Sequence, residues 1–162
     1  MAALIEPMTD GRDLAPLVAL NNAHATELSW LDAAGMATLV RRSFRAQVAD
    51  GDAGFVLSFD QDADYGSPNF LWFKERYARF VYVDRVVVDP AARGRGLAKA
   101  LYEDLFAAAA GAGHERVVCE VNVVPPNPAS DAFHARLGFA EVGQADLDGS
   151  GKRVRYLARA LP

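Results

Sequence analysis

Arg93-Gly94-Arg95-Gly96-Leu97-Ala98 lies between a strand-like apolar run, residues 81–88, and an alanine- and leucine-rich segment, residues 98–110, that predicts a helix. A strand, a glycine-rich turn and a helix in this order point free backbone N–H groups at an anion. The glycines let the backbone approach closely, and the helix N-terminus adds about half a positive charge. The stretch therefore predicts a binding site for a ligand that contains phosphate groups.

Three glycine-rich patterns compete for this stretch, beside the simpler interpretation of a flexible basic turn. A Walker loop requires G-x-x-x-x-G-K-[ST], which the sequence lacks, and a dinucleotide fingerprint requires a glycine where Lys99 stands. The pattern [Q/R]-x-x-G-x-[G/A] after a V-x-P connection fits Arg93, Gly96 and Ala98, with Val88-Asp89-Pro90 in front of them. This is the pyrophosphate loop of the GNAT acetyltransferase superfamily, which the sequence resembles.

A second segment, Asn127 to Phe139, resembles the later pattern of the same family, N-x-x-[A/S]-x-x-[L/F]-Y-x-x-x-G-F. It fits at every position except one, because His134 stands where the family usually has tyrosine. The resemblance covers roughly residues 40–160. It implies an α/β (α+β) fold with a GNAT-like mixed central sheet, in the order β-α-α-β-β-β-α-β-α-β-β, whose fourth and fifth strands splay apart.

The sequence pattern fits this order, with one additional helix inserted before the fourth strand. We expect strands near residues 2–8, 44–49, 53–59, 80–88, 116–123, 139–143 and 153–160. Helices are expected near residues 11–25, 31–42, 68–77, 96–110 and 128–137. Asp10 is a candidate cap for the first helix. We expect a single domain over residues 1–162.

Composition excludes several classes of protein. The chain has 51% apolar and 23% charged residues, which is typical of a soluble globular domain, and its net charge of −4 argues against bulk nucleic-acid binding. No apolar run approaches the roughly 20 residues of a membrane span, and the N-terminus lacks a secretory pattern. The lone Cys119 excludes an internal disulfide, so we expect a cytoplasmic protein. We expect no metal, because no metal-ligand spacing joins His24, His114, His134 and Cys119.

The resemblance implies acetyl-CoA as cosubstrate. It places the pantetheine arm along the backbone of Val86, Val87 and Val88, and the N–H of Val87 or Val88 against the thioester oxygen. Asn127 would touch the pantetheine or phosphate arm, although an asparagine before proline is also a good helix cap. The pyrophosphate would bind the loop residues Arg93, Gly94, Arg95, Gly96, Leu97, Ala98 and Lys99.

His134 is the departure with most consequence for chemistry. The family's tyrosine donates a hydrogen bond, and often a proton, to the sulfur that leaves. Tyrosine has an ordinary pKa near 10, whereas histidine at about 6.5 is mostly neutral above pH 7. We therefore expect His134 to orient the sulfur rather than protonate it, unless it is an ordinary helix-surface histidine.

An amine acceptor must lose a proton before it attacks, so a proton acceptor or a relay to one is expected. Asp84 on the fourth strand and Glu120 on the fifth are the two candidates. Strand alternation predicts that Tyr82 and Asp84 share one face of the sheet. Each carboxylate could instead form an ion pair with one of the arginines Arg85, Arg116 and Arg136.

The acceptor side has the weakest pattern. We expect a pocket wall formed by Asn22, His24, Trp30, Phe70 and Trp72, although the aromatic stretch near residue 70 is also typical of a core. Acidic residues near this side indicate a cationic amine: Glu27, Asp62, Asp64, Asp84 and Glu120.

The sequence thus predicts an N-acetyltransferase for a small amine, with direct transfer in a ternary complex because no cysteine is placed for a covalent intermediate. A homodimer is left open. The alternatives are a protein N-terminal or lysine acetyltransferase on the same scaffold, and a non-catalytic acyl-CoA-binding sensor.

Overall fold

The computed structural model describes residues 2–9, 11–24, 28–147 and 149–162, so Asp10 and Glu27 lie outside the described residues. Its strands are β1 Ile5–Pro7, β2 Arg45–Ala49, β3 Gly54–Asp60, β4 Val81–Val88, β5 Arg116–Val124, β6 Ala140–Leu147 and β7 Lys152–Ala160. Its helices are α1 Ala15–Ala23, α2 Ala33–Arg42, α3 Pro68–Lys74, α4 Leu97–Gly111 and α5 Pro128–Arg136, with a 3-10 turn at Pro90–Ala92. The expected order is confirmed, including the inserted helix α3 before β4.

The seven strands form one sheet in the order β1-β2-β3-β4-β5-β7-β6. Every neighbouring pair is antiparallel except β4 and β5, which run parallel. These two strands pair only at Val81 with Val117 and at Tyr82 with Val118, although each is eight or nine residues long. Beyond Tyr82 the two strands diverge, which confirms the expected splay and opens the middle of the sheet.

The strand β4 contains a bulge at Asp84. On β3, Ser58 pairs with Val83 and Leu57 pairs with Arg85, so that Asp84 has no partner between them. The extra residue reverses the alternation of side chains along the strand. After the bulge Val87 packs with helices α1 and α2, whereas Val86 and Val88 pack with helix α4. The strand alternation that predicts one shared face for Tyr82 and Asp84 therefore does not continue past Asp84.

Helices cover both faces of the sheet. On one face, apolar residues of α4 such as Leu101 and Leu105 pack on Val81, Val117 and Cys119. On the other face, α1 and α2 cover β2 to β4, and α3 covers β4, β5 and β7 with a largely aromatic cluster. The splay of β4 and β5 therefore connects the α4 face with the α3 face through the sheet.

Candidate active site

A cavity of about 510 Å³ occupies the gap where β4 and β5 diverge. Both strands contribute lining residues, as do helices α3, α4 and α5 and the segment before α2. The polar groups that the cavity brings together include Tyr65, Asp84, Tyr102, Glu120, Asn127 and His134. Asp84 and Glu120, the two expected proton acceptors, thus lie in the same cavity as His134.

Glu120 is the carboxylate whose environment is most unusual. Its Oε1 accepts hydrogen bonds from the Tyr82 hydroxyl at 2.8 Å and from Asn69 Nδ2 at 3.0 Å. Its Oε2 is buried and has no hydrogen-bond partner among the described residues. Burial, chiefly, raises the pKa of Glu120 to about 8, with the nearby Asp84 charge acting in the same direction. A carboxylate with such a pKa exchanges a proton readily near neutral pH.

Asp84 is already paired. Its Oδ2 accepts a hydrogen bond from Arg85 Nε at 2.7 Å, and its Oδ1 accepts one from the Tyr65 hydroxyl. The Asp84 and Arg85 side chains are each only 5% exposed. Of the two expected proton acceptors, Asp84 is therefore the one held in an ion pair, and Glu120 is the one with an unused oxygen.

Arg85 also ties β4 to the segment that follows α1. Its Nη1 donates to Asn21 Oδ1 at 2.9 Å and to the Ser29 carbonyl at 3.2 Å. One residue further along, Asn22 holds both the N–H and the carbonyl of Leu31. Trp30 lies between the anchored residues Ser29 and Leu31, lines the cavity and is 66% exposed. Its backbone is thus fixed while its ring remains at the cavity mouth.

The other residues expected on the acceptor wall do not line this cavity. Phe70 is fully buried in the aromatic core, and Trp72 stacks on Tyr156 with ring centroids 4.1 Å apart. His24 Nδ1 bonds to the Leu20 carbonyl, and the Asn22 side chain bonds to the backbone of Leu31. Phe70 and Trp72 are corrected to core residues, because their rings find aromatic partners on β4 and β7.

His134 is buried, and both of its ring nitrogens have partners within the protein. Nδ1 lies 2.8 Å from the Ser130 carbonyl, and Nε2 lies 2.8 Å from the Tyr102 hydroxyl. Because a carbonyl only accepts, Nδ1 bears the proton of the neutral ring and Nε2 accepts from Tyr102. Burial lowers the pKa of His134, which favours this neutral form.

Two further residues meet this end of the cavity. Asn127 caps α5 by accepting from the Ser130 N–H at 3.2 Å and also lines the cavity. Cys119 lines it as well, although we expected no cysteine to be placed for a covalent intermediate. Burial raises the pKa of the Cys119 thiol well above its ordinary value, so the group stays protonated and is a poor nucleophile.

The glycine-rich loop presents backbone N–H groups at the start of α4. Gly94 and Gly96 have φ angles of 84° and 72°, in the left-handed region that favours glycine. In the described part of the chain, the N–H groups from Gly94 to Lys99 donate to no protein acceptor. Two basic side chains of the loop make ion pairs, Arg95 with Asp50 and Lys99 with Glu103 at 3.7 Å. The loop therefore has free backbone N–H groups, whereas these two side chains are paired within the protein.

Strand β4 presents backbone groups to the gap. The Asp89 N–H donates to the Ala53 carbonyl, and Val87 pairs with Phe55. Because successive N–H groups of a strand alternate in direction, that of Val87 points to β3, and those of Val86 and Val88 point into the gap. Of the two expected donors, Val87 and Val88, only Val88 has its N–H directed into the gap, and Val86 has the same direction.

The described residues contain no group of three or more His, Cys, Asp or Glu side chains that could hold a metal ion. None of the helices so described is both long and apolar enough to cross a membrane.

Sequence reasoning missed Tyr65, Asn69 and Tyr102. Tyr65 follows an acidic loop and has no pattern of its own. Asn69 is the one polar side chain between Pro68 and the aromatic run that ends at Phe73, which could have singled it out. Tyr102 has the spacing of the apolar residues of α4, so the sequence does not distinguish it from them. Its polar role comes from the hydrogen bond between its hydroxyl and His134.

Part of the chain is similar in sequence to known proteins. The family model described as "Acetyltransferase (GNAT) family" matches residues 32–139. Phosphinothricin N-acetyltransferase of Streptomyces coelicolor is 35% identical over 101 residues, which make up 62% of this chain and 54% of that protein. The chain thus matches about half the length of this relative.

Solved structures share the fold at low sequence identity. A chain of the NatC complex bound to Gag peptide and CoA superposes with a TM-score of 0.77 at 14% identity, over 100% of both chains. The protein yncA of Salmonella typhimurium, solved with its cofactor acetyl-CoA, gives a TM-score of 0.73 at 19% identity, over 100% of this chain and 95% of that one.

Proposed function

Because the chain belongs to the acetyltransferase (GNAT) family, we propose that it transfers an acetyl group from acetyl-CoA directly to a small amine held in the cavity between β4 and β5. The observation on which this rests is Glu120, which lines a cavity of about 510 Å³ and whose buried Oε2 has no hydrogen-bond partner among the described residues. Acetyl-CoA as cosubstrate agrees with the free N–H groups of the glycine-rich loop. The relative named for N-acetylation of phosphinothricin supports an amine acceptor.

The cosubstrate and the acceptor approach from opposite faces of the sheet. The pyrophosphate binds the N–H groups at the start of α4, and the pantetheine arm runs along β4. The thioester carbonyl then lies against the N–H of Val88 or Val86, which stabilises the oxyanion that develops there. The amine enters from the α3 face, past Trp30, and meets Glu120.

The proposed reaction begins when the bound ammonium group gives one proton to Glu120 Oε2. The amine nitrogen attacks the thioester carbon, forming the C–N bond and a tetrahedral oxyanion. When the oxyanion collapses, the C–S bond breaks and its electron pair leaves with the sulfur. The second nitrogen proton is lost to solvent, and the thiolate takes up a proton. The buried, protonated Cys119 has no part in this direct transfer.

In this proposal, the pair Tyr102 and His134 lies next to the CoA sulfur and supplies its hydrogen-bond donor. Since His134 Nε2 accepts from Tyr102, the hydroxyl hydrogen of Tyr102 is the one that can turn to the sulfur. Donation by His134 itself is the role expected from the sequence. It requires the ring to give up its present bonds to the Ser130 carbonyl and the Tyr102 hydroxyl. The two assignments predict different effects of substituting Tyr102 and His134.

The acceptor is a compact cation in this proposal. Two carboxylates, Asp84 and Glu120, lie in the cavity, and Arg85 neutralises only the first of them. Trp30 offers an aromatic face at the mouth, which favours a cation or an apolar group next to the amine. Asp62 and Asp64 do not line the cavity and take no part.

The test is thiol release from acetyl-CoA with a panel of small amines, peptides with free N-termini and lysine-containing peptides. We expect turnover with small cationic amines, and its loss in Glu120→Gln. Turnover with peptides alone would instead favour a protein acetyltransferase. Binding of acetyl-CoA, seen as a melting shift, without turnover of any acceptor would favour the sensor.

A further inference from the structure

We infer that Asn69, on the inserted helix α3, is a positioning residue that fixes the Glu120 carboxylate so that Oε2 alone meets the amine. This inference rests on the proposed role of Glu120 as proton acceptor. It extends that role to a part of the chain, residues 68–74, that the family order does not include.

The two oxygens of Glu120 have unequal surroundings. Oε1 is bonded to two donors, the Tyr82 hydroxyl and Asn69 Nδ2, whereas Oε2 has none. A carboxylate with one oxygen held by two donors has little freedom to rotate about its last bond. The free lone pairs of Oε2 therefore keep one direction within the wall of the cavity that Glu120 lines.

The orientation of the Asn69 amide is itself fixed. The Tyr156 hydroxyl donates to Asn69 Oδ1 at 2.9 Å, so Nδ2 is left to donate to Glu120. An amide turned by 180° would place Oδ1 against a carboxylate oxygen and lose the bond to Glu120, because two acceptors cannot bond each other.

Tyr156 in turn is held by the ring of Trp72, which also belongs to α3. The two rings stack with centroids 4.1 Å apart, and Tyr156 is almost fully buried. Gly143 on β6 makes room for this stack, because a Cβ there would lie 2.5 Å from the Trp72 ring. Helix α3 thus contributes both the amide that bonds Glu120 and the ring that steadies the partner of that amide.

Asn69 also lowers the pKa of Glu120, since its N–H bond favours the charged carboxylate. Loss of that bond should raise the pKa at which the proton acceptor becomes ionised. The rising limb of kcat against pH should then move to higher pH, by about one unit for one lost donor to a carboxylate. A role in folding alone would lower the amount of active enzyme equally at every pH.

The experiment measures kcat and KM against pH for the wild type, Asn69→Ala and Tyr156→Phe, with the best amine of the panel. We expect Asn69→Ala to move the rising limb upward by about one pH unit, with KM for acetyl-CoA unchanged. Tyr156→Phe keeps the stacked ring and removes only the hydroxyl, so it should shift the limb in the same direction by less. Should Asn69→Ala fail to fold, Tyr156→Phe decides the test alone.

Asn122→Ala is the matched control, because Asn122 also lines the cavity but makes no bond to Glu120. It should leave the limb in place. An unmoved limb in both Asn69→Ala and Tyr156→Phe would overturn the inference. A Glu120→Gln enzyme with wild-type kcat would instead overturn the proposed role of Glu120, so the two failures are distinguishable.

Discussion

Replacing Glu120 by glutamine should make the protein more stable at high pH while it removes the proposed proton acceptor. The folded protein raises the pKa of Glu120 to about 8, from an ordinary value of 4.5, chiefly by burial. Between these values the folded state keeps a proton that the unfolded chain releases. The free energy of unfolding therefore falls as pH rises, by up to about 1.4 kcal/mol per pH unit.

The total loss over this window is at most about 5 kcal/mol, and solvent in the cavity reduces it to a few kcal/mol. Glutamine has no proton to lose, and its Oε1 can still accept from Tyr82 and Asn69. The variant and the wild type should thus have similar stability at pH 5. At pH 9 the variant should be the more stable by a few kcal/mol.

Urea denaturation at pH 5, 7 and 9 measures this difference. Glu103→Gln is the control, since Glu103 is an exposed carboxylate on α4 and should change the pH dependence little. Parallel stability curves for the wild type and Glu120→Gln would refute the reasoning, because they would mean that Glu120 titrates alike in the folded and unfolded chains.

Three other substitutions test the proposed binding and reaction. Gly96→Val should abolish the stabilisation by acetyl-CoA that a melting shift detects, because valine is strained at a φ of 72°. For the wild type this stabilisation amounts to about 2.7 kcal/mol at 100 times the dissociation constant. An undiminished melting shift in the variant would exclude this loop as the anion site. Tyr102→Phe should lower kcat tenfold or more, as loss of a general acid does, whereas an unaffected Tyr102→Phe beside an impaired His134→Phe would return the donor role to His134. Trp30→Ala should raise KM for the amine severalfold with KM for acetyl-CoA unchanged, since we propose that the ring meets only the acceptor; equal changes in both would contradict that placement.

The order of elements was predictable because each strand and helix has its own periodicity and its own turn residues. Two glycine-containing motifs then implied the splay of β4 and β5, which local pattern alone does not reveal. The bulge at Asp84 was not predictable, since a bulge depends on how β4 pairs with β3 and leaves no mark in the alternation of Val81 to Val88.

The candidate site was predictable only where a residue type contrasts with its surroundings. Glu120 stands out as a charge within an apolar strand, and His134 as a departure within a motif. The pairing of Asp84 with Arg85, and of His134 with Tyr102, depends on distances between elements. Phe70 and Trp72 were placed at the cavity because an aromatic run suits both a pocket wall and a core, and packing on β4 and β7 decided between them.

The two-residue contact between β4 and β5 has a mechanical consequence for the sheet. Beyond Tyr82 and Val118 the strands present two facing edges whose backbone groups lack a strand partner across the gap. Such edges are templates for any extended chain with alternating donors and acceptors, and proteins usually conceal them. A pantetheine arm, with its two amide groups, can fill this place as a short added strand. The cosubstrate would then join the four-stranded and three-stranded halves of the sheet, so that its arrival stiffens the protein as well as supplying the acetyl group.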